Sequence, residues 1–118
     1  MEKKRVLVID DERIVLDSIT KIMKEENFEV DVTLSGREGI EWAISKKYDV
    51  VLTDLRMPDI GGMRVLRDIK RAKPAMPVVM ITGFGSVKSA VQAMKLGAAE
   101  YLEQPFAPDD LVKVVQRA

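Results

Sequence analysis

The stretch VLVIDDE, residues 6–12, decides how this chain folds. Four apolar residues, three of them β-branched, are followed at once by three acidic residues. An unbroken apolar run of this kind is typical of a strand that is covered on both faces in a parallel sheet. Residues 50–52 and 78–81 form similar runs, whereas residues 28–34 alternate and predict a strand nearer the sheet edge. Residues 100–103 are a weaker candidate for a fifth strand.

Between the predicted strands, the chain carries apolar residues at helical spacing. The apolar stripes are Val15, Ile19, Ile22 and Met23; Ile40, Ala43 and Ile44; Val65, Leu66 and Ile69; Val87, Ala90, Val91 and Met94; and Leu111, Val114 and Val115. Trp42 falls on the opposite side of its helix from the stripe, so we expect it to be partly exposed. Strand followed by helix, five times over, predicts an α/β fold with a doubly wound parallel sheet and right-handed crossovers.

Three features mark helix ends in this pattern. Ser35 followed by Glu38 fits a capping box, in which each residue bonds the backbone N–H of the other. Gly97 after the fourth stripe predicts a C-terminal stop, and Pro108 predicts the first turn of the last helix.

Composition limits the possible functions. The chain has 118 residues with 19 basic and 19 acidic side chains, and we expect one domain over residues 1–118, whole or cut from a longer protein. A net charge of 0 provides no field for nucleic acid, so we expect no direct DNA binding. No apolar run is long enough to span a membrane, and we expect a soluble, cytoplasmic protein. Because the chain lacks Cys and His, any metal must bind to oxygen.

Polar residues follow the predicted strands directly. Asp10 and Asp11 follow the first strand, Asp54 the third, Thr82 the fourth and Gln104 the fifth. Ligands of an open parallel sheet bind beyond these carboxyl ends. Two carboxylates about 4 Å apart repel by roughly 4 kcal/mol at a dielectric of about 20, so protons, a protein cation or a bound Mg²⁺ must neutralise them. Taken alone, either acid of the first pair could simply cap the following helix.

Four ordered motifs together resemble the receiver domain of two-component response regulators. The motifs are VLVIDDE at 6–12, VVLTDLRMPDIGG at 50–62, VVMITGFGS at 78–86 and AMKLGAAEYLEQPF at 93–106. Within that family, TGFGS and KLGAAEYL look most like receivers of the nitrogen-regulator type, which precede an ATPase domain in enhancer-binding transcriptional activators. The resemblance covers essentially the whole chain and implies a flavodoxin-like fold with strand order 2-1-3-4-5 and five helices.

The resemblance also implies roles for individual residues. Asp54 matches the residue that accepts a phosphoryl group from a sensor histidine kinase, and this residue also contacts Mg²⁺. Asp11 matches the direct Mg²⁺ ligand, Asp10 the acid that holds the ion largely through water, and Arg56 the residue that lends its backbone carbonyl. A carboxylate is a nucleophile that forms an acyl phosphate, while the ion offsets charge. The domain would phosphorylate and dephosphorylate itself rather than act as a turnover enzyme.

Two further positions match the family's switch. Thr82 matches the hydroxyl that binds the new phosphoryl group, and Tyr101 matches the aromatic residue that moves inward with it. The movement would change a surface made of helix four, strand five and helix five, which would bind an output domain or a second copy of the chain.

Gln104 departs from the family, which has lysine before the last proline of the motif. Glutamine offers the phosphoryl group only a neutral N–H, which we expect to weaken transfer or switching by roughly 1 kcal/mol. The alternative hypothesis is therefore an interaction module that works without phosphorylation. A flavin-binding domain is excluded because acids occupy the place of a phosphate-binding loop. The Gln104–Pro105 bond matches one that is usually cis in the family.

Overall fold

The computed structural model describes residues 3–118, which fold around one parallel sheet. The strands are β1 (Arg5–Ile9), β2 (Glu29–Thr33), β3 (Val50–Thr53), β4 (Val78–Thr82) and β5 (Glu100–Glu103). They pair in the order β2-β1-β3-β4-β5, and every neighbouring pair is parallel. The predicted doubly wound fold is confirmed, with β2 and β5 at the edges.

Helices cover both faces of the sheet. They are α1 (Arg13–Glu25), α2 (Gly36–Ser45), α3 (Gly62–Ala72), α4 (Val87–Lys95) and α5 (Pro108–Arg117). Side chains of a strand point alternately to opposite faces. Leu7 and Ile9 therefore join the core beneath α2 and α3, while Val6 and Val8 join the core beneath α1 and α5. No helix within residues 3–118 is long and apolar enough to cross a bilayer.

Only one of the two hydrogen bonds of the predicted capping box forms at α2. The Ser35 hydroxyl accepts the Glu38 N–H at 3.2 Å, as expected. The Glu38 carboxylate instead accepts the Thr33 hydroxyl at 2.6 Å, because that strong donor at the end of β2 lies within its reach. A reciprocal box that the sequence analysis missed forms at α4 between Ser86 and Ser89. At the other end of α4, Gly97 adopts a φ of +100° and stops the helix as predicted.

The apolar stripe of α4 faces away from the core, which corrects the expectation from helical spacing. Val87, Val91 and Met94 are 83%, 48% and 49% exposed. Ala93 is the buried residue of this helix, and its methyl group allows α4 to lie close to the sheet. Helical spacing shows that one face is apolar, but it does not say what covers that face.

A similar correction applies to α2. Ile44, which belongs to the predicted stripe, is 44% exposed. Trp42 is half-buried at the side of the core, so its expected partial exposure is confirmed. The Lys46 ammonium forms a cation–π contact with the Trp42 indole, 4.2 Å from the ring centre. The bulky indole covers the core edge more effectively than isoleucine, and Ala43 fills the space closest to the sheet.

Gly62 allows α3 to begin directly against the backbone of Asp54. Its N–H donates to the Leu55 carbonyl at 2.7 Å, and an added Cβ would collide with the Asp54 carbonyl oxygen. At the preceding Gly61 an added Cβ would meet only the Leu55 carbonyl, at 3.8 Å.

Gly62→Ala is therefore expected to destabilise the protein by about 1–3 kcal/mol through this backbone clash. The control Gly61→Ala lacks this clash and should lower the free energy of unfolding by less than about 1 kcal/mol, since it only replaces a favoured glycine at the N-cap of α3. Urea unfolding followed by circular dichroism measures both. Equal stability of the two variants would contradict the prediction.

Candidate functional site

Three carboxylates converge at the carboxyl ends of β1 and β3. Asp10 and Asp54 are buried, Asp11 is exposed, and one oxygen from each lies within 4.8 Å of the others. The register of the sheet creates this cluster, because Ile9 of β1 pairs with Thr53 of β3. The Asp54 N–H continues the pairing by donating to the Ile9 carbonyl at 2.9 Å. The convergence expected from the sequence is thus present.

Burial raises the pKa of Asp10 to about 7, and the charges of Asp54 and Asp11 act in the same direction. The Glu12 N–H opposes these effects by donating to Asp10 Oδ1 at 2.9 Å. This bond closes an Asx turn before α1 but does not cap the helix, because the N-cap is Glu12 and no side chain caps it, so the simple capping interpretation of Asp10 is wrong. Near neutral pH a sizeable fraction of Asp10 is therefore protonated when no cation is bound.

Burial also raises the pKa of Asp54. The Thr82 hydroxyl and the Leu55 N–H, which donates to Asp54 Oδ1 at 2.8 Å, lower it. The negative charge of Asp11 raises it further. The structure thus keeps one oxygen of Asp54 bonded to its own loop and leaves the carboxylate short of positive partners.

The donor set fits a hard divalent cation. Within residues 3–118, no lysine or arginine forms an ion pair with Asp10, Asp11 or Asp54. Clustered carboxylate oxygens without a protein counter-ion are the ligands that Mg²⁺ prefers. Arg56, whose carbonyl was expected to complete the set, lies in the loop between β3 and α3, two residues beyond Asp54.

The Arg56 side chain reaches from the loop after β3 to the loop after β4. Its guanidinium carbon lies 5.0 Å from the centre of the Phe84 ring, in the loop between β4 and α4. Phe84 is 52% exposed, and a cation–π contact at such a site contributes about 0.5–1 kcal/mol. Sequence analysis missed this contact, since nothing in the motifs pairs these positions.

Thr82 is fully buried at the end of β4. Its Oγ1 accepts the Phe84 N–H at 3.0 Å, which leaves the hydroxyl proton free to point towards Asp54. Its carbonyl accepts the Gln104 N–H at 2.9 Å. Gln104 is half-buried with its side chain against Gly83, and the Gln104–Pro105 bond is cis as expected.

Tyr101 connects β5 to the start of α4. Its ring is half-buried, and its hydroxyl shares a hydrogen bond with Ser89 Oγ at 3.0 Å. The same hydroxyl lies so close to Gly85 that a Cβ at that position would collide with it. The structure therefore places this aromatic residue directly beneath the loop that follows Thr82. The sequence motif indicated Tyr101 but not its partners Ser89 and Gly85.

Asp59 is a second polar residue that sequence analysis missed. It lies in the same loop as Arg56 and accepts the Ser35 hydroxyl at 2.8 Å, the Gly36 N–H at 3.1 Å and the Arg37 N–H at 3.0 Å. Slight burial raises the pKa of Asp59, but these hydrogen bonds outweigh it and hold the pKa well below its usual range. The loop after Asp54 is thereby attached to the start of α2. A lone Asp in a turn gives no sequence signal for such a long-range cap.

The comparisons with known proteins agree with this geometry. Residues 6–116 match the family model of the response regulator receiver domain, and the chain belongs to that family. It is 35% identical over 108 residues to the cell cycle response regulator CtrA of Brucella ovis, covering 92% of this chain and 47% of that protein. The chain thus spans about half the length of the curated relatives it matches.

Solved structures show the same fold. A CheY-like response regulator receiver domain protein from Methanospirillum hungatei superposes with a TM-score of 0.93 at 30% identity, over 98% of this chain and 92% of that one. The beryllofluoride-activated NtrC4 receiver domain dimer has a TM-score of 0.90 at 37% identity, over 95% of this chain and 93% of that one. Both support a two-component phosphoacceptor role.

The raised pKa of Asp10 predicts a pH-dependent cost to stability. Its folded pKa of about 7 exceeds the unfolded value of 3.8, so stability falls as pH rises between these values. Asp10→Asn keeps an acceptor for the Glu12 N–H and is expected to raise Tm by about 4–8 °C at pH 8 with EDTA. Thermal unfolding at pH 4, 6 and 8 measures this gain, which should vanish at pH 4.

Addition of MgCl₂ to about 10 mM, a concentration at which weak carboxylate sites bind the ion, should raise the Tm of the parent more than the Tm of Asp10→Asn. A variant that is less stable than the parent in EDTA at pH 8 would contradict the prediction.

Proposed function

We propose that this domain is a phosphorylation-controlled switch, in which Asp54 accepts a phosphoryl group from a phosphohistidine of a sensor histidine kinase with the help of Mg²⁺. The observation that carries the proposal is the convergence of Asp10, Asp11 and Asp54 within 4.8 Å, beside the buried hydroxyl of Thr82. The domain would turn over its own phosphoryl group rather than act on successive substrates.

The residues divide the chemistry among them. An Asp54 oxygen would form the new bond to phosphorus while the P–N bond of phosphohistidine breaks and the imidazole leaves with the bonding electrons. Asp11 would hold Mg²⁺ directly, Asp10 largely through water, and Arg56 through its carbonyl. When bound, the ion would offset negative charge on both reactants. Asp54 is suited to attack, since its other oxygen is oriented by the Leu55 N–H at 2.8 Å.

The switch would begin at Thr82. Its hydroxyl can donate to a phosphoryl oxygen because the lone pair, not the proton, is used by the Phe84 N–H at 3.0 Å. Movement of the loop that follows Thr82 would shift Gly85, and the Tyr101 hydroxyl lies directly against Gly85. Since that hydroxyl also bonds Ser89 at 3.0 Å, the change would reach α4. The responding surface would be made of α4, β5 and α5.

Intact mass after incubation with acetyl phosphate and Mg²⁺ tests the phosphoacceptor function. The parent should gain one phosphoryl group, because nucleophile and metal ligands are present, and Asp54→Asn should gain none. Gln104→Lys should change the lifetime of the adduct by about tenfold, since a charged donor replaces a neutral one.

The same experiment decides the alternative that Gln104 itself favours. No adduct on the parent, together with an adduct on Gln104→Lys, would replace the proposal with an interaction module that works without phosphorylation. Asp54→Asn in each background is the control for modification elsewhere.

We also propose that the domain is part of a longer regulator of the nitrogen-regulator type and controls transcription through an output domain. Support comes from the motifs TGFGS and KLGAAEYL and from 37% identity to the NtrC4 receiver domain. The net charge of 0 favours nucleic-acid binding by the output domain rather than by this domain.

A second copy of the chain is the partner we propose for α4. Phe84, Val87, Val91 and Met94 form an exposed apolar surface there, named the α4 surface below. The NtrC4 receiver, a dimer when activated by beryllofluoride, is similar to this chain over 95% of its length.

Sedimentation velocity with beryllofluoride and Mg²⁺ is expected to show a monomer-to-dimer shift in the parent. Val91→Lys should reduce the dimer affinity at least tenfold by placing a charge in the apolar contact. Ile44→Lys is the matched control, because Ile44 on α2 is exposed to a similar degree, 44% against 48%. Equal loss of the dimer in both variants would contradict a contact through the α4 surface.

A further inference from the structure

We infer that Arg56 supplies the positive charge to the phosphoryl group in this chain, a role that Gln104 cannot perform. The inference rests on the proposed phosphoacceptor function of Asp54 and adds a residue that the motifs do not assign to phosphoryl binding. Three observations carry it: the position of Arg56, its lack of a strong partner, and the unbalanced charge of the site.

The position follows from two loops that meet across the site. Arg56 lies two residues after Asp54, and Phe84 lies two residues after Thr82. The guanidinium carbon of Arg56 is 5.0 Å from the Phe84 ring centre, and the Phe84 N–H bonds Thr82 at 3.0 Å. The Arg56 side chain therefore joins the loop that follows Asp54 to the loop that follows Thr82, the two loops next to the proposed phosphoryl group.

Arg56 is available for a new partner. Within residues 3–118 it forms neither an ion pair nor a side-chain hydrogen bond, and it is exposed. Its contact with the half-exposed Phe84 ring is weak compared with a charge-assisted hydrogen bond to a phosphoryl oxygen. Replacement of the Phe84 ring contact by a hydrogen bond to the phosphoryl group would thus favour the phosphorylated state.

The charge of the site calls for such a partner. Asp10, Asp11 and Asp54 have no protein counter-ion in the described chain. A phosphoryl group would add further negative charge to the site, even with Mg²⁺ bound there. Gln104, the residue after β5, contributes no charge. The planar guanidinium fork suits phosphoryl oxygens, which it can bind in pairs.

The test is a double-mutant cycle on Arg56→Gln and Gln104→Lys, read out by two measurements. Titration with beryllofluoride in the presence of Mg²⁺, followed by Trp42 fluorescence or NMR, gives the affinity of the site for a phosphoryl mimic. Intact mass after acetyl phosphate treatment gives the lifetime of the adduct. Arg13→Gln is the matched control, since Arg13 begins α1 near the same edge of the sheet and forms no ion pair.

Arg56→Gln is expected to weaken beryllofluoride binding about tenfold in the parent, and less than about threefold once lysine is present at 104. Arg56→Lys should restore part of the affinity, and Arg13→Gln should leave it within about twofold. Phe84→Leu tests whether the ring itself is needed. If it weakens binding as much as Arg56→Gln, the ring contact and not the charge is responsible, and the inference is wrong.

Equal effects of Arg56→Gln in both backgrounds would overturn the inference while leaving the phosphoacceptor function intact, provided that an adduct forms on Asp54. An adduct that forms on none of these proteins, or that survives in Asp54→Asn, would overturn the proposed function and the inference with it.

Discussion

Crowding of negative charge at the carboxyl ends of β1 and β3 is the constraint on which the rest of the site depends. Parallel pairing of β1 with β3 brings Asp10 beside Asp54, and burial of both raises the free energy of the charged forms. The fold itself would be more stable with neutral residues there. Such a departure from what favours stability is typical of a functional site, and the clustered oxygens are ones that could hold a cation.

The surroundings of the carboxylates connect them to distant parts of the molecule. Asp59 attaches the loop after Asp54 to α2, while Arg56 reaches from the same loop to Phe84. Thr82 and Tyr101 extend the connection to α4 through hydrogen bonds of about 3 Å at each end. The contacts of Asp59, Arg56 and Thr82 each include a loop residue, whereas the Tyr101–Ser89 bond joins β5 directly to α4.

Sequence alone predicted the sheet and the acidic cluster at the carboxyl ends of its strands, because both follow from local patterns. Apolar runs determine buried strands, and the residue after each run must lie at the carboxyl edge. The outward orientation of Val91 and the exposure of Ile44 were not predictable, since they depend on which neighbour covers each helix face. Contacts made by Asp59 and Arg56 were missed for the same reason: they join segments whose spatial relation appears only in the folded chain.

The anchoring of α4 has a consequence for how the molecule fluctuates. Ala93 is the buried residue of that helix, whereas α3 buries Val65, Leu66 and Ile69. A helix that fully buries only one alanine side chain opens at lower cost than one that buries three large apolar side chains. Amide hydrogens of α4 should therefore exchange with deuterium well before those of α3. The helix that exposes Val87, Val91 and Met94 is then less protected than α3.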